Sequence, residues 1–191
     1  MSFEEPQHPT QPATSFPDNA GLQPSCGSSS LDADTPKGRD AIRWARRGAN
    51  ALLRAHPTLR LAETDQSEPA DVDGVLYSIM AGGVVKGVVE IKTRYTTLEH
   101  LMGVWKGEWL ITRDKLTRGI QIALGLRCPL VGLLVLPNSG ICLSKQITDK
   151  DGNLTCQMRE ESTETRASVN GGRATRLNAF IDMTEAKQID L

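Results

Sequence analysis

The run LVGLLVLP, residues 130–137, limits most strongly what this chain can fold into. Side chains on a strand alternate between two faces, and this run carries no polar side chain, so both of its faces need to be covered. A strand of this kind lies inside a layered domain, with other elements packed on each side of its sheet. The run therefore predicts an α/β (α+β) fold that buries this strand in a central sheet.

The rest of the chain predicts three helices before this strand. The first begins at a cap formed by Asp34 or Thr35 and ends before Pro57, because its apolar residues recur at helical spacing. Residues 96–108 predict a short helix that covers the sheet. Residues 109–129 predict a second long helix that ends at the proline before the buried strand.

Strands occupy the region between the first helix and the short one. They are TLRLAE (58–63), DVDGVLYSIM (71–80) and VVKGVVEIKTR (84–94), with a turn at Gly82–Gly83 between the last two. After the buried strand we expect a hairpin that turns at Asp151–Gly152, a polar stretch over residues 160–172 and a final strand over residues 174–183. This order of elements predicts a mixed central sheet with extra C-terminal strands.

Charge and composition divide the chain into segments. Residues 1–34 are rich in Pro and Ser and contain five acids but no Lys or Arg. Such a composition buries too little apolar surface to fold, so we expect a disordered acidic tail. The whole chain carries −1, which leaves about +4 on the remainder. We expect a core over residues 35–147 and a C-terminal β extension of the same domain over residues 148–191.

Several classes of protein are disfavoured. The four cysteines show no CxxC or Cys/His spacing, which argues against a structural zinc site or a disulfide framework. No apolar run reaches the ~20 residues that span a bilayer, and the first residues lack the pattern of a secretory signal. There is no GxGxxG or phosphate-loop motif. We expect a cytoplasmic protein without a membrane partner; the sequence leaves its oligomeric state open.

The stretch GVVEIKTR, residues 87–94, is the strongest candidate for a functional site. The period of a strand places Glu90, Lys92 and Arg94 on one face. If the preceding strand pairs antiparallel through the turn, Asp73 lies beside Glu90. Two adjacent carboxylates repel each other and raise each other's pKa, and a divalent cation relieves that repulsion. Lys92 would then project into the same site, where it can hold a water or face a phosphate.

Simpler interpretations exist for these residues. An edge strand often carries Lys and Glu, and ion pairs across strands are common. The first helix carries seven basic residues and one acid between residues 37 and 60, which suits either a solvated surface or a phosphate-facing one. Trp105 and Trp109 flank Lys106, and the two indoles can serve packing or can stack on a splayed base.

The sequence resembles the PD-(D/E)XK nuclease superfamily at Asp73 in DVDG and at Glu90 and Lys92 in VEIK. The order of elements over residues ~37 to 137, helix, three strands, helix, strand, is similar to the restriction-endonuclease-like core. The resemblance implies that Asp73 and Glu90 bind Mg²⁺ or Mn²⁺, that the carbonyl of Ile91 completes the shell, and that Lys92 acts on the attacking water. It also implies a catalytic role for Gln121 on the following helix.

The resemblance implies a metal-dependent deoxyribonuclease, either an endonuclease or an exonuclease, that acts on duplex or single-stranded DNA. Contacts with the phosphate backbone would come from a set of basic side chains: Arg94, Lys115, Arg118, Arg43 and Arg47. The alternative is a catalytically inactive DNA-binding or adaptor protein on the same fold. The intact triad of Asp73, Glu90 and Lys92 favours the nuclease.

Overall fold

The computed structural model of the protein describes residues 35–65, 70–80, 82–166 and 173–191, so the predicted tail over residues 1–34 lies outside the described residues. Its helices are α1 (Pro36–Ala55), α2 (Leu98–Gly103) and α3 (Arg113–Gly125), with a 3-10 turn at Pro137–Ser139. Its strands are β1 (Leu59–Glu63), β2 (Gly74–Ser78), β3 (Val85–Thr93), β4 (Glu108–Thr112), β5 (Leu130–Leu136), β6 (Ile141–Gln146), β7 (Met158–Arg166), β8 (Arg173–Asp182) and β9 (Lys187–Asp190).

The first helix begins and ends where its sequence predicts. The hydroxyl of Thr35 accepts a hydrogen bond from the backbone N–H of Gly38 at 2.9 Å, which satisfies one of the free donors at the start of α1. The helix ends at Ala55, two residues before Pro57. Ala49 and Leu52 are buried against the sheet, as the apolar spacing indicates.

Six strands form a mixed central sheet in the order β1-β2-β3-β5-β6-β9. Only the β3–β5 pair is parallel, and the remaining neighbours are antiparallel. The turn between β2 and β3 contains Gly82 and Gly83 at φ 63° and 84°, a conformation that costs glycine little. β5 is almost entirely buried between β3 and β6. The prediction of a mixed α/β domain with a mixed central sheet is confirmed.

Both faces of the sheet are covered, but by different elements. Val89 of β3 packs with Leu52 of α1, so α1 covers one face. Val88 points the other way and packs with Leu116 of α3 and Trp109 of β4. Because side chains alternate along a strand, Glu90 and Lys92 share the face of Val88 and lie beneath α3 and the second sheet.

The second sheet has three antiparallel strands in the order β4-β8-β7, and the sequence did not predict it. The prediction of helix over residues 109–112 was wrong, because these residues form β4 and α3 begins only at Arg113. Trp109 and Ile111 are the buried residues of β4 and pack against the central sheet. Their alternation is too short to separate a strand from a helix, and the partner strand β8 is distant in sequence.

The predicted C-terminal hairpin is also corrected. β6 pairs with β5 and β9, and the residues on either side of the turn that includes Asp151–Gly152 form an isolated bridge between Thr148 and Leu154 instead of two paired strands. Residues 160–166 of the predicted polar stretch belong to β7, which pairs with β8, while residues 167–172 lie outside the described residues. The strand predicted over residues 174–183 forms as β8, but β9 follows it. Polar β7 lacks the apolar alternation that signals a strand, and its backbone pairing with β8 supplies the order.

Candidate active site

Asp73 anchors a cluster of charged side chains where β2 begins. It was predicted within the second strand, but it lies in the bend before Gly74, the first residue of β2. Its backbone N–H donates to the carbonyl of Val89 at 3.0 Å, and its Oδ2 accepts from the N–H of Ile91 at 2.5 Å. The carboxylate of Asp73 therefore continues the pairing with β3 past the first residue of β2. These two hydrogen bonds fix the position of the carboxylate.

Glu90 is the most buried member of the cluster, with only 3% of its surface exposed. Its Oε2 has no hydrogen-bond partner in the part of the chain that the structure describes. Its Oε1 lies 2.8 Å from Nζ of Lys115 as an ion pair. Burial raises the pKa of Glu90 to about 7, and the nearby charge of Asp73 adds to the rise, while the two lysines Lys115 and Lys92 oppose it.

The backbone carbonyl of Ile91 faces the same cluster. The N–H groups of Val88 and Arg94 donate to β5 or the residue before it, so the peptide groups of alternate residues between them face that strand. Ile91 belongs to the alternate residues whose peptide groups face the β2 side of the strand. It lies opposite the residues just before β2 begins. Its N–H is taken by Asp73, and its carbonyl accepts no hydrogen bond from any residue that the structure describes.

Lys92 lies two residues beyond Glu90 on the same face of β3 and is partly buried. Burial lowers the pKa of Lys92, and the attraction of the carboxylates of Glu90 and Asp73 only partly offsets this effect. An ammonium in this setting gives up its proton more readily than an exposed lysine does. The predicted association of Asp73, Glu90 and Lys92 is present in the structure.

Helix α3 contributes Lys115, whose ammonium lies between the two carboxylates. Its Nζ is 2.8 Å from Oε1 of Glu90 and 3.5 Å from Oδ1 of Asp73. Burial alone lowers the pKa of Lys115, but the attraction of Glu90 and Asp73 outweighs burial and raises it. Lys115 was predicted only as a phosphate contact. Its position four residues before the buried Gly119 places it on the sheet side of α3, so the helical spacing could have predicted that it faces the cluster.

The other two candidates on α3 lie outside the cluster. Arg118 is exposed and forms an ion pair with Asp71 at 2.9 Å. Gln121 is also exposed, and the described structure shows no hydrogen bond between it and the carboxylates. The predicted catalytic role of Gln121 therefore receives no geometric support, since Lys115 is the side chain of α3 that meets Asp73 and Glu90.

The remaining predicted phosphate contacts are Arg94, which follows the last residue of β3, and two arginines of α1. Arg94 is half-buried and its Nη2 lies 3.5 Å from the carbonyl of Leu110. Arg43 is exposed and pairs with Asp40, and exposed Arg47 stacks over the ring of Trp44, 4.5 Å from its centroid.

Helix α1, which carries the predicted phosphate contacts Arg43 and Arg47, lies on the opposite side of the sheet from the cluster. The first half of this helix nevertheless meets the end of β3. The hydroxyl of Thr93 donates to the carbonyl of Ala41 at 3.1 Å, and the hydroxyl of Tyr95 donates to Asp40 at 2.6 Å. The basic surface of α1 and Arg94 therefore approach the same edge of the central sheet.

The donors of the cluster fit a hard divalent cation. No group of three or more His, Cys, Asp or Glu side chains that could hold a metal occurs among the described residues, so a cation here would rely on two carboxylates, the Ile91 carbonyl and water. All of these are oxygen ligands, which Mg²⁺ and Mn²⁺ prefer. The buried Oε2 of Glu90, which has no hydrogen-bond partner among the described residues, is the structural feature that a cation would satisfy.

No protein-family model, curated protein or solved structure matches this chain. The helices within the described ranges include none that is both long and apolar enough to cross a membrane.

Proposed function

We propose that this protein is a nuclease that hydrolyses phosphodiester bonds of DNA with the help of a divalent cation. The observation that carries the proposal is the convergence of Asp73 and Glu90, from separate segments, beside Lys92 on one face of β3. The order α1, β1, β2, β3, α3, β5 around a mixed sheet supports a restriction-endonuclease-like core. The PD-(D/E)XK resemblance is part of this proposal.

The chemistry follows from the groups in the cluster. Asp73, Glu90 and the carbonyl of Ile91 would hold Mg²⁺ or Mn²⁺. Such a cation, when bound, polarises a phosphate and lowers the pKa of its water. Lys92 donates hydrogen bonds from Nζ to the attacking water or to a non-bridging phosphate oxygen, where negative charge develops. Because burial raises the pKa of Glu90 to about 7 when no metal is bound, Glu90 must lose a proton before it can hold the cation.

Lys115 supplies the positive charge between the carboxylates in the structure described above. Its flexible stem allows the ammonium to turn away from Asp73 and Glu90 when another cation takes that place. From α3 it would then reach a phosphate of the substrate, as its predicted role requires.

The test is cleavage of labelled linear duplex, single-stranded and circular DNA in Mn²⁺, Mg²⁺ or EDTA. We expect cutting that needs the metal and falls by at least about 100-fold in Lys92→Ala, because removal of a group that stabilises transition-state charge has costs of this size. Lys86→Ala is the matched control, since Lys86 is exposed on the same strand. Equal rates in the two variants would contradict the role given to Lys92.

A DNA-binding protein without nuclease activity is the second candidate, and the position of Lys115 favours it. Because an ammonium already lies between Asp73 and Glu90, the cluster has a counter-ion without any metal. This alternative predicts that the protein binds DNA but cuts none of the substrates in any of the metals. Metal-dependent cutting would exclude it.

A further inference from the structure

A cavity of about 640 Å³ opens next to the charged cluster. Its apolar lining includes Leu101, Leu134 and Trp109, all of which are buried. Leu134 is the register partner of Lys92 across the β3–β5 pair, so the cavity adjoins the lysine of the cluster. Its volume falls within the ~300–1,000 Å³ that is typical of small-molecule sites.

An indole stands at the mouth of this cavity. Trp105 lines it and is 40% exposed, although large apolar side chains are usually buried. The loop that carries Trp105 is held by its backbone, because the N–H of Gly107 donates to the carbonyl of Leu101 at 2.8 Å and the N–H of Glu108 donates to Trp105 at 2.9 Å. The ring of His100 supports the indole edge to face, with a centroid distance of 5.2 Å. The aromatic surface is therefore exposed and fixed in position.

Two of the three cationic side chains that line the cavity have no carboxylate partner within the described ranges. Arg159 is held by Glu108 through two contacts of 2.6 Å and by Glu161. Arg94 and Lys106 also line the cavity, and neither forms an ion pair with a carboxylate in the described ranges. Arg94 is half-buried, and the only described hydrogen bond of its guanidinium is the 3.5 Å contact with a backbone carbonyl. A half-buried guanidinium with so few partners is suited to an anion that enters the cavity.

The positions along β3 connect this cavity with the cluster. Glu90, Lys92 and Arg94 follow one another on one face, at intervals of about 6.6 Å per two residues of strand. A DNA strand whose phosphate binds Arg94 at the cavity would place that phosphate about 6.6 Å from the position of Lys92 along the chain. A planar base attached to the same strand could turn into the cavity and lie on Trp105.

We propose that the cavity binds one unpaired nucleotide of a single DNA strand, with its base on Trp105 and a phosphate on Arg94. The inference rests on the proposed function, and it names the substrate as single-stranded DNA or a frayed end. A base within an intact duplex is stacked and paired, so it would have to unpair and unstack before it could enter the cavity. Aromatic stacking, by contrast, accepts any unpaired base.

The test is the affinity of the full chain in EDTA for two fluorescein-labelled probes, an oligothymidylate and a blunt hairpin duplex. Because EDTA prevents metal-dependent cutting, the measurement does not depend on nuclease activity. We expect Trp105→Ala to weaken binding of the oligothymidylate by about tenfold or more and to change binding of the duplex less than about twofold. Trp105→Phe should recover most of the affinity, since it restores an aromatic face.

Trp44→Ala is the matched control, because Trp44 lies on α1 across the sheet and stacks with Arg47. Arg94→Met should also weaken binding of the oligothymidylate. The inference is overturned if the wild type does not bind the oligothymidylate, or if Trp105→Ala and Trp44→Ala bind it equally well. The nuclease proposal fails separately if DNA remains intact in Mn²⁺ while the dependence on Trp105 persists.

Discussion

Glu90 carries a carboxyl group into the interior of the domain, and two cations hold it there. Only 3% of its surface is exposed, and within the described ranges Oε1 meets the ammonium of Lys115 at 2.8 Å while Oε2 has no hydrogen-bond partner. Lys115 and Lys92 lower the cost of its charge, but burial and Asp73 raise that cost further. The result is an acid whose pKa of about 7 makes its protonation respond to pH near neutrality.

This shift predicts how stability depends on pH. The pKa of Glu90 is raised from an ordinary 4.5 to about 7, so between these values the folded chain binds more protons than the unfolded chain. The free energy of unfolding contributed by Glu90 therefore falls as pH rises through this window, by about 3 kcal/mol. We expect Glu90→Gln to be nearly as stable as the wild type below pH ~4.5 and more stable at pH ~8.

Urea unfolding of both proteins at these two pH values measures the effect. Taking the difference between the two proteins removes the contributions of the other titrating groups. A difference that stays constant between the two pH values would contradict the raised pKa of Glu90.

The cluster shows how far residue patterns can predict a site. The period of β3 placed Glu90 and Lys92 on one face, and the glycine turn brought Asp73 beside them. The sequence did not predict that Lys115 would lie between the carboxylates, because that contact depends on how α3 crosses the sheet. Gln121 was selected by resemblance, and it lies on the exposed side of the helix.

At the level of elements, the second sheet contacts the central one at Gly132. This glycine pairs in register with Glu90, and a Cβ added to it would overlap the ring of Trp109. The absence of a side chain lets the indole of β4 lie directly on β5, close to the cluster. The position of Trp109 therefore links the packing of the two sheets to the site.

We expect Gly132→Ala to destabilise the fold by about 1–3 kcal/mol, because the ring of Trp109 and the methyl group cannot share this space. Gly125→Ala is the control, since nothing lies within 4 Å of a Cβ there and the residue ends α3. Alanine at that position should leave stability unchanged or raise it by about 0.5 kcal/mol. Thermal unfolding of the two variants measures the difference, and equal effects would contradict the close contact of the sheets.

Local patterns predicted some elements and failed for others, for a physical reason. Capped helix α1 and apolar β5 carry strong local signals, and both formed where expected. β4 is a strand because it pairs with β8, which is remote in sequence, whereas β7 pairs with β8 as the next strand along the chain. β4 is too short to show a clear alternation and β7 is too polar to show an apolar one, so neither could be predicted from its own residues.

At the scale of the whole molecule, α1 and the cluster cover opposite faces of one sheet but meet at the end of β3. A DNA strand that crosses this edge can contact Arg94 and the basic surface of α1 together. We expect the double variant Arg43→Gln/Arg47→Gln to reduce the slope of log affinity against log salt for duplex DNA by about 1 to 2, since each lost phosphate contact contributes ~0.9.

Arg54→Gln is the comparison for this variant, because Arg54 lies in the last turn of α1 and contacts the carbonyl of Asp190. Fluorescence anisotropy across a series of salt concentrations gives the slopes. If the double variant and Arg54→Gln leave the slope equally unchanged, α1 has no part in DNA binding.

Calorimetric titration with Mn²⁺ is the direct test of whether Asp73 and Glu90 form the proposed cation site. The measurement belongs at pH ~8, above the pKa of Glu90, where its carboxylate is free to bind metal. We expect the wild type to bind Mn²⁺ and Asp73→Asn to weaken binding by at least about tenfold. Asp71→Asn should bind as the wild type does, because Asp71 is exposed and pairs with Arg118. If the wild type binds no Mn²⁺, or if all three proteins bind it equally, Asp73 and Glu90 do not form a cation site.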